Sequence, residues 1–517
     1  MAAICGWLPV KYLTGNVSGH KTGGFYMKYI AFDLGASSGK MMLGSFDGNR
    51  LDTEVIHRFP NCQISANGSL YWNFLGIYQN LIEGLKTGFR KADGQITGLG
   101  MDSYCNDFGL IGKSGDIITQ MHCYRDARTK RNRDKIYDLI SEKELHQLTG
   151  NQNALFNTAI QLAAMIQQGD GYLLEGCETL LHLPDLLAYM LTGERKSEYT
   201  IASVTQMFDY RTNLWHKEVL NRFMIPERIL APIVEPGSVV GHATREMQSL
   251  LGTGGFDVIA VGEHDTASAV AALPALSGNP AYISSGTWSL MGVETCDFFT
   301  NETTFKYNIA FEGGVEHRYR MLKNVMGLWI IQECRREYQT MGQEYSVGEL
   351  AALAAKEAPF KALIDPDWEE FYEPGRMLEK IRKFCSMTGQ KEPETPGQFV
   401  RAVEESLAFK YRWVMDALEE INGKKIDCIH ILGGGGQDRL LDQFTANACR
   451  RPVYVGPTEA ALAGNFLMQM KAKGEIRDVL QGREIIRKSF NIEEFLPADQ
   501  AVWEEKYQYF KTLLKSV

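Results

Sequence analysis

The sequence predicts an α/β protein built from two similar lobes. Three observations support this prediction: strand-like and helix-like apolar spacings alternate along the chain, a strand–turn–strand unit at residues 29–46 returns at residues 281–293, and both turns are made of small residues. At 517 residues, the chain has room for two or three domains of about 150 residues each. A unit that recurs at half the chain length favours two lobes, each beginning with a hairpin.

The first half of the chain alternates between strand and helix patterns. The predicted strands are residues 29–33, 40–46, 51–59 and 96–101, and the turn between the first two is residues 35–39. The predicted helices are residues 77–90, 142–148, 158–168 and 181–191.

The second half repeats the hairpin and then becomes more helical. Its predicted strands are residues 281–283, 288–293 and 427–432, its helices are residues 326–339, 395–421, 438–449 and 498–515, and a glycine loop covers residues 433–436. Residues 345–394 are largely polar and contain several prolines, which predicts an inserted subdomain or a loop-rich edge.

The residues before Met27 do not fit the fold pattern. They are too short and too interrupted by glycine for a signal peptide, and a strand begins directly at Met27. We therefore expect residues 1–26 to be a disordered or loosely docked leader. No uninterrupted apolar run approaches the length of about 18 residues that spans a bilayer, so no membrane partner is predicted.

Composition excludes several classes of protein. With 44% hydrophobic and 23% charged residues, the chain has the balance of a globular protein rather than a disordered one. Its 54 basic and 63 acidic residues give a net charge of -9 without a basic block, which argues against nucleic acid as a partner. The 10 cysteines form no CxxC pair, so free thiols in a reducing cytoplasm are expected.

Glycine and serine cluster at the places where a nucleotide could bind. Residues 35–40 do not form a Walker A loop, because the glycine spacing differs and a strand follows instead of a helix. A hairpin tip of this kind can still hold phosphate with backbone amides and hydroxyls, although one such turn alone could be a plain tight hairpin. A second such tip at residues 284–287 and the glycines at residues 433–436, before a helix, favour nucleotide binding over close packing alone.

Two aspartates at strand ends are candidates for chemistry. Asp33 ends the first strand, where it would hold a hydrated Mg²⁺ against phosphates or, equally well, cap the turn. Asp265 follows the strand at residues 258–261 and suits the carboxylate that accepts a proton from an attacking hydroxyl, with a helix cap as the alternative.

The motifs in this order resemble those of the FGGY carbohydrate kinases, which belong to the actin-like ATPase superfamily. The resemblance runs from about Met27 to the C-terminus and rests on these strings: FDLGASSGK, YRDART, FNTAIQL, GEHDTASAVAALP, ISSGTWSLMGVE, LKNVMGLWIIQECRR, ILGGGGQDRLLDQFTANA and GPTEAALAGN. It implies two ribonuclease-H-like lobes around a central cleft, a sugar-binding lobe at residues 27–271 and a nucleotide-binding lobe at residues 272–517. It also implies closure of the lobes on binding.

The resemblance also implies roles for individual residues. Asp265 would be the catalytic base, and His264, Thr266 and Asn324 would help to bind the sugar. ATP would meet the first phosphate loop and several second-lobe residues, and Asp33 would orient Mg²⁺. The implied ATP-binding residues are Ala36, Ser37, Ser38, Gly39, Lys40, Thr287, Gln332, Gly434 and Gly435.

One stretch departs from the family pattern. Where the family has a glycine that approaches the sugar followed by an apolar residue, this chain has Cys105 and Asn106. A side chain at the first position would narrow the pocket, and the new amide could satisfy a different hydroxyl. Gln437 is followed by Asp438 where the family has asparagine, which affects a nucleotide-side contact. The polar residues around Arg125 and Asp126 suit a hydroxyl-rich ligand or a buried network that fixes a turn.

The resemblance implies an ATP- and Mg²⁺-dependent kinase of a deoxyketose, in the first place L-rhamnulose, with L-rhamnulose 1-phosphate as the product. Another sugar, such as L-fuculose or xylulose, is the alternative within the family, because of Cys105 and Asn106. A non-catalytic actin-like protein that senses sugar is an alternative from another class, against which Asp33, Asp265 and Thr287 argue. We expect a cytoplasmic monomer or homodimer whose partners are ATP and a sugar.

Overall fold

The first of two mixed sheets contains the N-terminal hairpin in this computed structural model, which describes residues 26–514. Its strand Met27–Leu34 runs antiparallel to its hairpin partner and parallel to Gly98–Ser103. The six strands lie in the order Ser238–His242, Asp257–Ala260, Gly98–Ser103, Met27–Leu34, Ser38–Phe46 and Leu51–Pro60.

The second sheet has the same strand order, read from the opposite edge. Its central strand Ala281–Ser285 also has an antiparallel hairpin partner on one side and a parallel strand, Ile429–Leu432, on the other. The strands lie in the order Ala310–Gly313, Tyr319–Met326, Trp288–Thr295, Ala281–Ser285, Ile429–Leu432, Val453–Val455 and Glu493–Phe495. Apart from the additional edge strand Ala310–Gly313, the two sheets match, which confirms the predicted two-lobed α/β fold.

Helices cover both faces of the sheets, which explains the apolar sequences of the central strands. Tyr29, Ile30, Ala31 and Phe32 are all fully buried, as expected for strands that pack against helices on both sides. Helix Phe74–Lys91 covers one face and buries the apolar side chains that recur at helical spacing.

A largely helical segment is inserted between strands Gly98–Ser103 and Ser238–His242. Its two-stranded ribbon pairs Phe108–Gly112 with Cys177–His182, so the helix predicted to start at residue 181 begins at Leu183, beside the proline that favours a first turn. The helices of this segment are Arg128–Arg131, Arg133–Tyr137, Glu142–Thr149, Thr158–Gln167, Tyr172–Gly176, Leu183–Thr192, Tyr199–Ala202 and Lys217–Phe223.

Short elements complete this half of the chain. They are the strand pairs Gln63–Ala66 with Ser69–Trp72, Phe208–Asp209 with Leu214–Trp215, and Ser197–Glu198 with Ile233–Val234, the 3-10 helix Glu227–Ile229 and the helices Arg245–Leu251 and Asp265–Ala271.

Residues 345–394 were predicted to form an inserted subdomain or a loop-rich edge, and the second of these alternatives was wrong. This segment contains helices Val347–Lys356 and Met377–Met387, and the buried Leu350 and Phe384 belong to the core of the second lobe. Amphipathic helices have a polar average composition, and the prolines lie between the helices rather than within them. The other helical elements of this half are Glu302–Lys306, Trp329–Thr340, Glu369–Tyr372, Pro396–Asn422, Gly434–Gln437, Arg439–Cys449, Val479–Ser489 and Gln500–Leu513.

Helix Ala460–Ala472 returns from the second sheet to the first. It packs on strands Met27–Leu34 and Gly98–Ser103 and on helix Asp265–Ala271. Gly464 permits the close approach, because a Cβ there would lie 1.7 Å from the Ser268 carbonyl oxygen. The predicted leader, apart from Tyr26, lies outside the described residues.

We expect Gly464→Ala to destabilise the fold, because the added methyl group meets the backbone of the neighbouring helix. The expected loss of unfolding free energy is at least about 2 kcal/mol, measured as a lower thermal midpoint. Gly348→Ala is the control: it lies in a helix with open space around its Cβ position and should be neutral or stabilising by up to about 1 kcal/mol. Equal midpoints for the two variants would contradict the packing argument.

Candidate active site

A cleft of about 520 Å³ lies between the two hairpin tips. Both lobes contribute to its walls. The lining includes most of the residues implied by the sequence: Asp33, Ala36, Ser37, Lys40, Cys105, Asn106, His264, Asp265, Thr266, Thr287, Asn324 and Gly434. The strand ends and the turns of both sheets therefore meet at one site.

The turns present backbone and small side chains to the cleft. Gly35 and Gly286 each close a tight turn, with hydrogen bonds of 2.9 Å from Gly35 N to Ser38 O and from Gly286 N to Trp288 O. Gly434 also lines the cleft, and its Cβ position meets only open space. Because little side chain obstructs them, these turns suit a phosphate or an adenosine group.

Four of the residues implied to bind ATP do not line the cleft. Ser38 is exposed, and Gly39 lies under the ring of Phe59. Gly435 is buried, and a Cβ there would lie 2.0 Å from Ser285 Oγ. Gln332 lies on helix Trp329–Thr340, whose first turn is fixed by a bond of 3.2 Å from Trp329 N to Thr287 O. In this conformation, none of these four residues belongs to the cleft lining.

Two carboxylates lie side by side at the end of the first sheet. Asp33 and Asp102 are paired in parallel register, and Asn465 Nδ2 donates to Asp102 Oδ2 at 2.6 Å. Burial, followed by the charge of Asp265, raises the pKa of Asp33 to about 7. Burial, followed by the charge of Asp33, raises the pKa of Asp102 well above its usual range. The Asp102 Oδ1 atom is buried without a hydrogen-bond partner, so it is free to accept a hydrogen bond or to contact a cation.

A salt bridge joins two residues that line the cleft. Lys40, from the first hairpin, contacts Glu459, which precedes helix Ala460–Ala472. Arg58 lies 3.9 Å from the same carboxylate. The sequence places Glu459 in a string that resembles the family, but nothing local in it indicates a partner so far away in the chain.

Asp265 starts the helix Asp265–Ala271 and is accessible from the cleft. Its carboxyl side chain is 35% exposed, Thr266 Oγ1 donates to its Oδ1 at 3.1 Å, and His264 Nε2 lies 3.6 Å from the same atom. An accessible carboxylate that is oriented by neighbours can accept a proton from a hydroxyl within the cleft.

Two buried residues behind His264 were missed by sequence reasoning. Arg320 Nη2 lies 2.9 Å from His264 Nδ1 and 3.0 Å from Glu312 Oε2. Arg320 is fully buried, and Glu312 lines the cleft. Both come from strands of the second sheet, and no spacing pattern links them to residue 264.

The inner wall combines polar and apolar surfaces. Asn324 lines it with a buried Oδ1 that has no hydrogen-bond partner. Phe156 and Trp288 approach each other from the two sides of the cleft, with ring centroids 6.2 Å apart, and Val204 lies in the same lining. Such a wall suits a ligand that has both hydroxyls and an apolar end.

Cys105 and Asn106 line the cleft, but the amide of Asn106 is already engaged. Its Oδ1 accepts a hydrogen bond of 3.1 Å from Thr158 N, and its Nδ2 lies 3.1 Å from Cys105 Sγ. Asn106 also has a φ of 77°, a left-handed conformation that asparagine tolerates. The half-buried Cys105 is therefore the side chain that narrows this wall.

The polar residues around Arg125 and Asp126 were predicted either to bind a hydroxyl-rich ligand or to form a buried network that fixes a turn. The hydrogen bonds of Asp126 agree with the network. Asp126 Oδ1 accepts from Arg128 N at 2.8 Å, and its Oδ2 accepts from Leu70 N at 2.7 Å. Arg125 stacks on Trp329 of the second lobe at 4.7 Å.

Asp438, which stands where the family has asparagine, caps the helix Arg439–Cys449. Its Oδ1 accepts a hydrogen bond of 3.2 Å from Leu441 N.

Two lobes of the same strand order form a cleft that is lined by glycine and serine turns and by the Asp265 carboxylate, an arrangement that suits phosphoryl transfer. The chain matches the N-terminal domain of the FGGY family of carbohydrate kinases over residues 28–272 and the C-terminal domain of that family over residues 281–473. The protein belongs to the FGGY family of carbohydrate kinases.

Curated relatives cover almost the whole chain. It is 40% identical to a rhamnulokinase of Bacteroides thetaiotaomicron over 487 residues, which span 94% of this chain and 99% of the relative. It is 36% identical to a rhamnulokinase of Bacillus subtilis over 473 residues, which span 92% of this chain and 96% of the relative. The protein is thus a rhamnulokinase-like sugar kinase, and its family implies the use of ATP.

Solved structures support the same fold. A gluconate kinase from Lactobacillus acidophilus has a TM-score of 0.79 at 15% identity, covering 95% of this chain and 98% of its own. A glycerol kinase from Plasmodium falciparum, solved with ADP, has a TM-score of 0.76 at 14% identity, covering 96% and 99%. Within residues 26–514, no helix has the length and hydropathy needed to cross a membrane.

Proposed function

We propose that the protein transfers the γ-phosphoryl group of ATP to the O1 hydroxyl of L-rhamnulose and releases L-rhamnulose 1-phosphate and ADP. The observation that supports this choice of sugar is the near full-length similarity to rhamnulokinases, at 40% identity in one case. The cleft is compatible with it, because hydroxyl-binding groups lie beside an apolar wall.

In this reaction, Asp265 is the catalytic base. The O1 oxygen attacks the γ-phosphorus while its proton passes to an Asp265 carboxylate oxygen, and the bond from the γ-phosphorus to the β,γ-bridging oxygen breaks. His264 lies next to this carboxylate and, with Thr266 and Asn324, binds the sugar. Orientation of the hydroxyl is the main contribution of these groups, since phosphoryl transfer needs little covalent chemistry from the protein.

The nucleotide binds along the turns. Amides and hydroxyls of Ala36, Ser37 and Thr287 meet the phosphates, and the glycines at residues 433–434 face the adenosine. Lys40 reaches the phosphates once it releases Glu459. Closure of the lobes excludes water, which would otherwise accept the phosphoryl group.

A magnesium ion fits the carboxylate corner. Asp33 and Asp102 offer the oxygen ligands that Mg²⁺ prefers, and the unpartnered Asp102 Oδ1 lacks a positive neighbour. Among residues 26–514, no three acidic, histidine or cysteine side chains form a complete metal cage, as expected where water and phosphate supply most ligands. When bound, the ion would offset phosphate charge, with Asp33 as its principal protein partner.

Three broader features belong to the same proposal. The sugar-binding lobe spans residues 27–271 and the nucleotide-binding lobe residues 272–517, although helix Ala460–Ala472 packs on the first sheet. We infer a cytoplasmic enzyme, which agrees with nine free thiols among residues 26–514. A monomer or homodimer is expected, and sedimentation would distinguish these from larger assemblies.

Cys105 favours an alternative sugar within the same class. It narrows a wall where the family has glycine, so L-fuculose or xylulose is the second candidate.

Coupled ADP release over a panel of ketoses tests the choice of sugar. We expect the highest kcat/KM for L-rhamnulose and a value about 10- to 100-fold lower for L-fructose, which adds a hydroxyl at C6 that the apolar wall cannot satisfy. Cys105→Gly, which widens the wall, should reduce this preference. A higher kcat/KM for L-fuculose or xylulose would assign the enzyme to that sugar instead.

Replacing the catalytic base tests the mechanism. Asp265→Asn keeps the shape but cannot accept the proton, so kcat should fall by about 10²- to 10⁴-fold, while sugar binding, measured by calorimetry, is retained. Asp257→Asn, in a strand of the same sheet and paired with Lys473 rather than with the cleft, is the control and should keep kcat. Unchanged turnover in Asp265→Asn would remove this residue from its role.

Replacing Asp33 tests the metal site. Asp33→Asn should raise the Mg²⁺ concentration for half-maximal activity at least about 10-fold and weaken the thermal shift caused by MgATP. The thermal midpoint without ligand should be unchanged or higher, because the substitution removes a like charge beside Asp102. Asp47→Asn, in the exposed turn after the same hairpin, is the control. An unaltered Mg²⁺ requirement would contradict the assignment.

A further inference from the structure

His264 receives a hydrogen bond from outside its own lobe. It follows strand Asp257–Ala260 of the first sheet and bridges to Ser103 at the end of the adjacent strand. Arg320 belongs to strand Tyr319–Met326 of the second sheet, and its Nη2 lies 2.9 Å from His264 Nδ1. The contact therefore joins a residue of the sugar side to the framework of the other lobe.

This contact selects one form of the imidazole ring. A guanidinium group can only donate hydrogen bonds, so His264 Nδ1 must accept and cannot carry a proton. The ring proton then lies on Nε2, which faces the cleft and is 3.6 Å from Asp265 Oδ1. A doubly protonated ring would set two N–H groups against each other at Nδ1.

The neighbours of His264 shift its pKa in opposite directions. Burial lowers the pKa of His264, whereas the charge of Cys105 and hydrogen bonds with Cys105 and Glu312 raise it, giving about 10, with Arg320 acting to lower it. Glu312 Oε2 also lies 3.4 Å from His264 Nδ1, but the shorter contact at this nitrogen, 2.9 Å, is with Arg320 Nη2, which can only donate. The raised pKa favours the charged ring, whereas the shorter contact at Nδ1 favours the neutral ring, and the two forms differ in whether Nδ1 carries a proton.

Arg320 is itself held in place. Its Nε donates to Gly313 O at 3.0 Å, and its Nη2 lies 3.0 Å from Glu312 Oε2. The side chain is fully buried, so it has little freedom to turn away. Glu312 neutralises the guanidinium charge, which would otherwise be costly at this depth.

We propose that Arg320 is a positioning residue that fixes His264 as the Nε2-protonated tautomer and so directs one N–H donor toward the sugar beside Asp265. This inference rests on the proposed sugar-kinase function for its consequence, but not for the tautomer itself. Because Arg320 comes from the second sheet, the donor is correctly directed only when both lobes hold this arrangement. Sugar binding is thereby made dependent on the position of the nucleotide lobe.

The tautomer can be read directly in the wild-type protein. Nitrogen-15 NMR of labelled histidine, with His264→Asn used to assign the signal, should show an unprotonated Nδ1 and a protonated Nε2 at neutral pH. A proton on Nδ1, alone or together with Nε2, would overturn the proposal. This measurement needs no turnover, so it is independent of which sugar the enzyme phosphorylates.

Variants test the consequence for catalysis. Arg320→Met should raise the KM of the ketose about 10-fold or more, with a smaller change in the KM of ATP, and its His264 signal should show the other tautomer or a mixture. Glu312→Gln keeps the guanidinium and provides a milder second variant if Arg320→Met does not fold. It should change the ketose KM in the same direction.

Arg483→Met is the matched control. Arg483 is also a buried arginine, bonded to Val270 O at 2.9 Å and to Glu294 Oε2 at 2.7 Å, without contact to His264. It should lower the thermal midpoint without altering the tautomer or the ratio of the two KM values. Equal KM effects in the Arg320 and Arg483 variants would reduce the role of Arg320 to stability, while no turnover of L-rhamnulose by the wild type would refute only the proposed substrate.

Discussion

The hydrogen bond from Asn465 Nδ2 to Asp102 Oδ2, 2.6 Å long and fully buried, is the contact on which the cleft depends. It attaches helix Ala460–Ala472, which arrives from the second sheet, to the end of a first-sheet strand. Gln469 adds a second bond from the same helix, to the Ile30 carbonyl oxygen at 2.8 Å. Gly464 then lets the helix that begins at Asp265 lie against it. These contacts fix the candidate base and the metal corner relative to each other, because both are held by the same helix.

The electrostatics of the cleft agree with the proposed binding of a nucleotide together with a divalent ion. Asp33 and Asp102 lie beside each other. Burial, followed by the charge of Asp265, raises the pKa of Asp33, and burial, followed by the charge of Asp33, raises the pKa of Asp102. Lys40, the nearest cation, is shared with Glu459. A divalent ion would supply the missing positive charge, and phosphate groups would compete with Glu459 for Lys40. Binding of the nucleotide and rearrangement of this ion pair are therefore expected to be linked.

The sequence predicted the features that depend on local patterns. The two hairpins, the small residues at their tips, Asp33 and Asp265 follow from residues that are neighbours in the chain. The contacts that join the lobes have no such signature: Lys40 and Glu459 are 419 residues apart, and Asp102 and Asn465 are 363 residues apart. The resemblance implied Gln332 and Gly435 as ligand contacts, yet in this conformation neither lines the cleft. Only the packing around Thr287 and Ser285 shows this.

The structure assigns Cys105 and Asn106 different effects on the pocket from those that the sequence predicted. The sequence presents Asn106 as a new amide for a sugar hydroxyl, but its oxygen is already bonded to the Thr158 amide, and its backbone has the left-handed conformation that asparagine tolerates. Asn106 therefore supports the turn. Cys105 is the side chain added to the wall, and a thiol is a weak hydrogen-bonding group. Cys105 should therefore affect the choice of sugar through the shape of the pocket rather than through a new hydrogen bond. A hydrogen bond gained or lost at this position would change the specificity for the sugar by a larger factor.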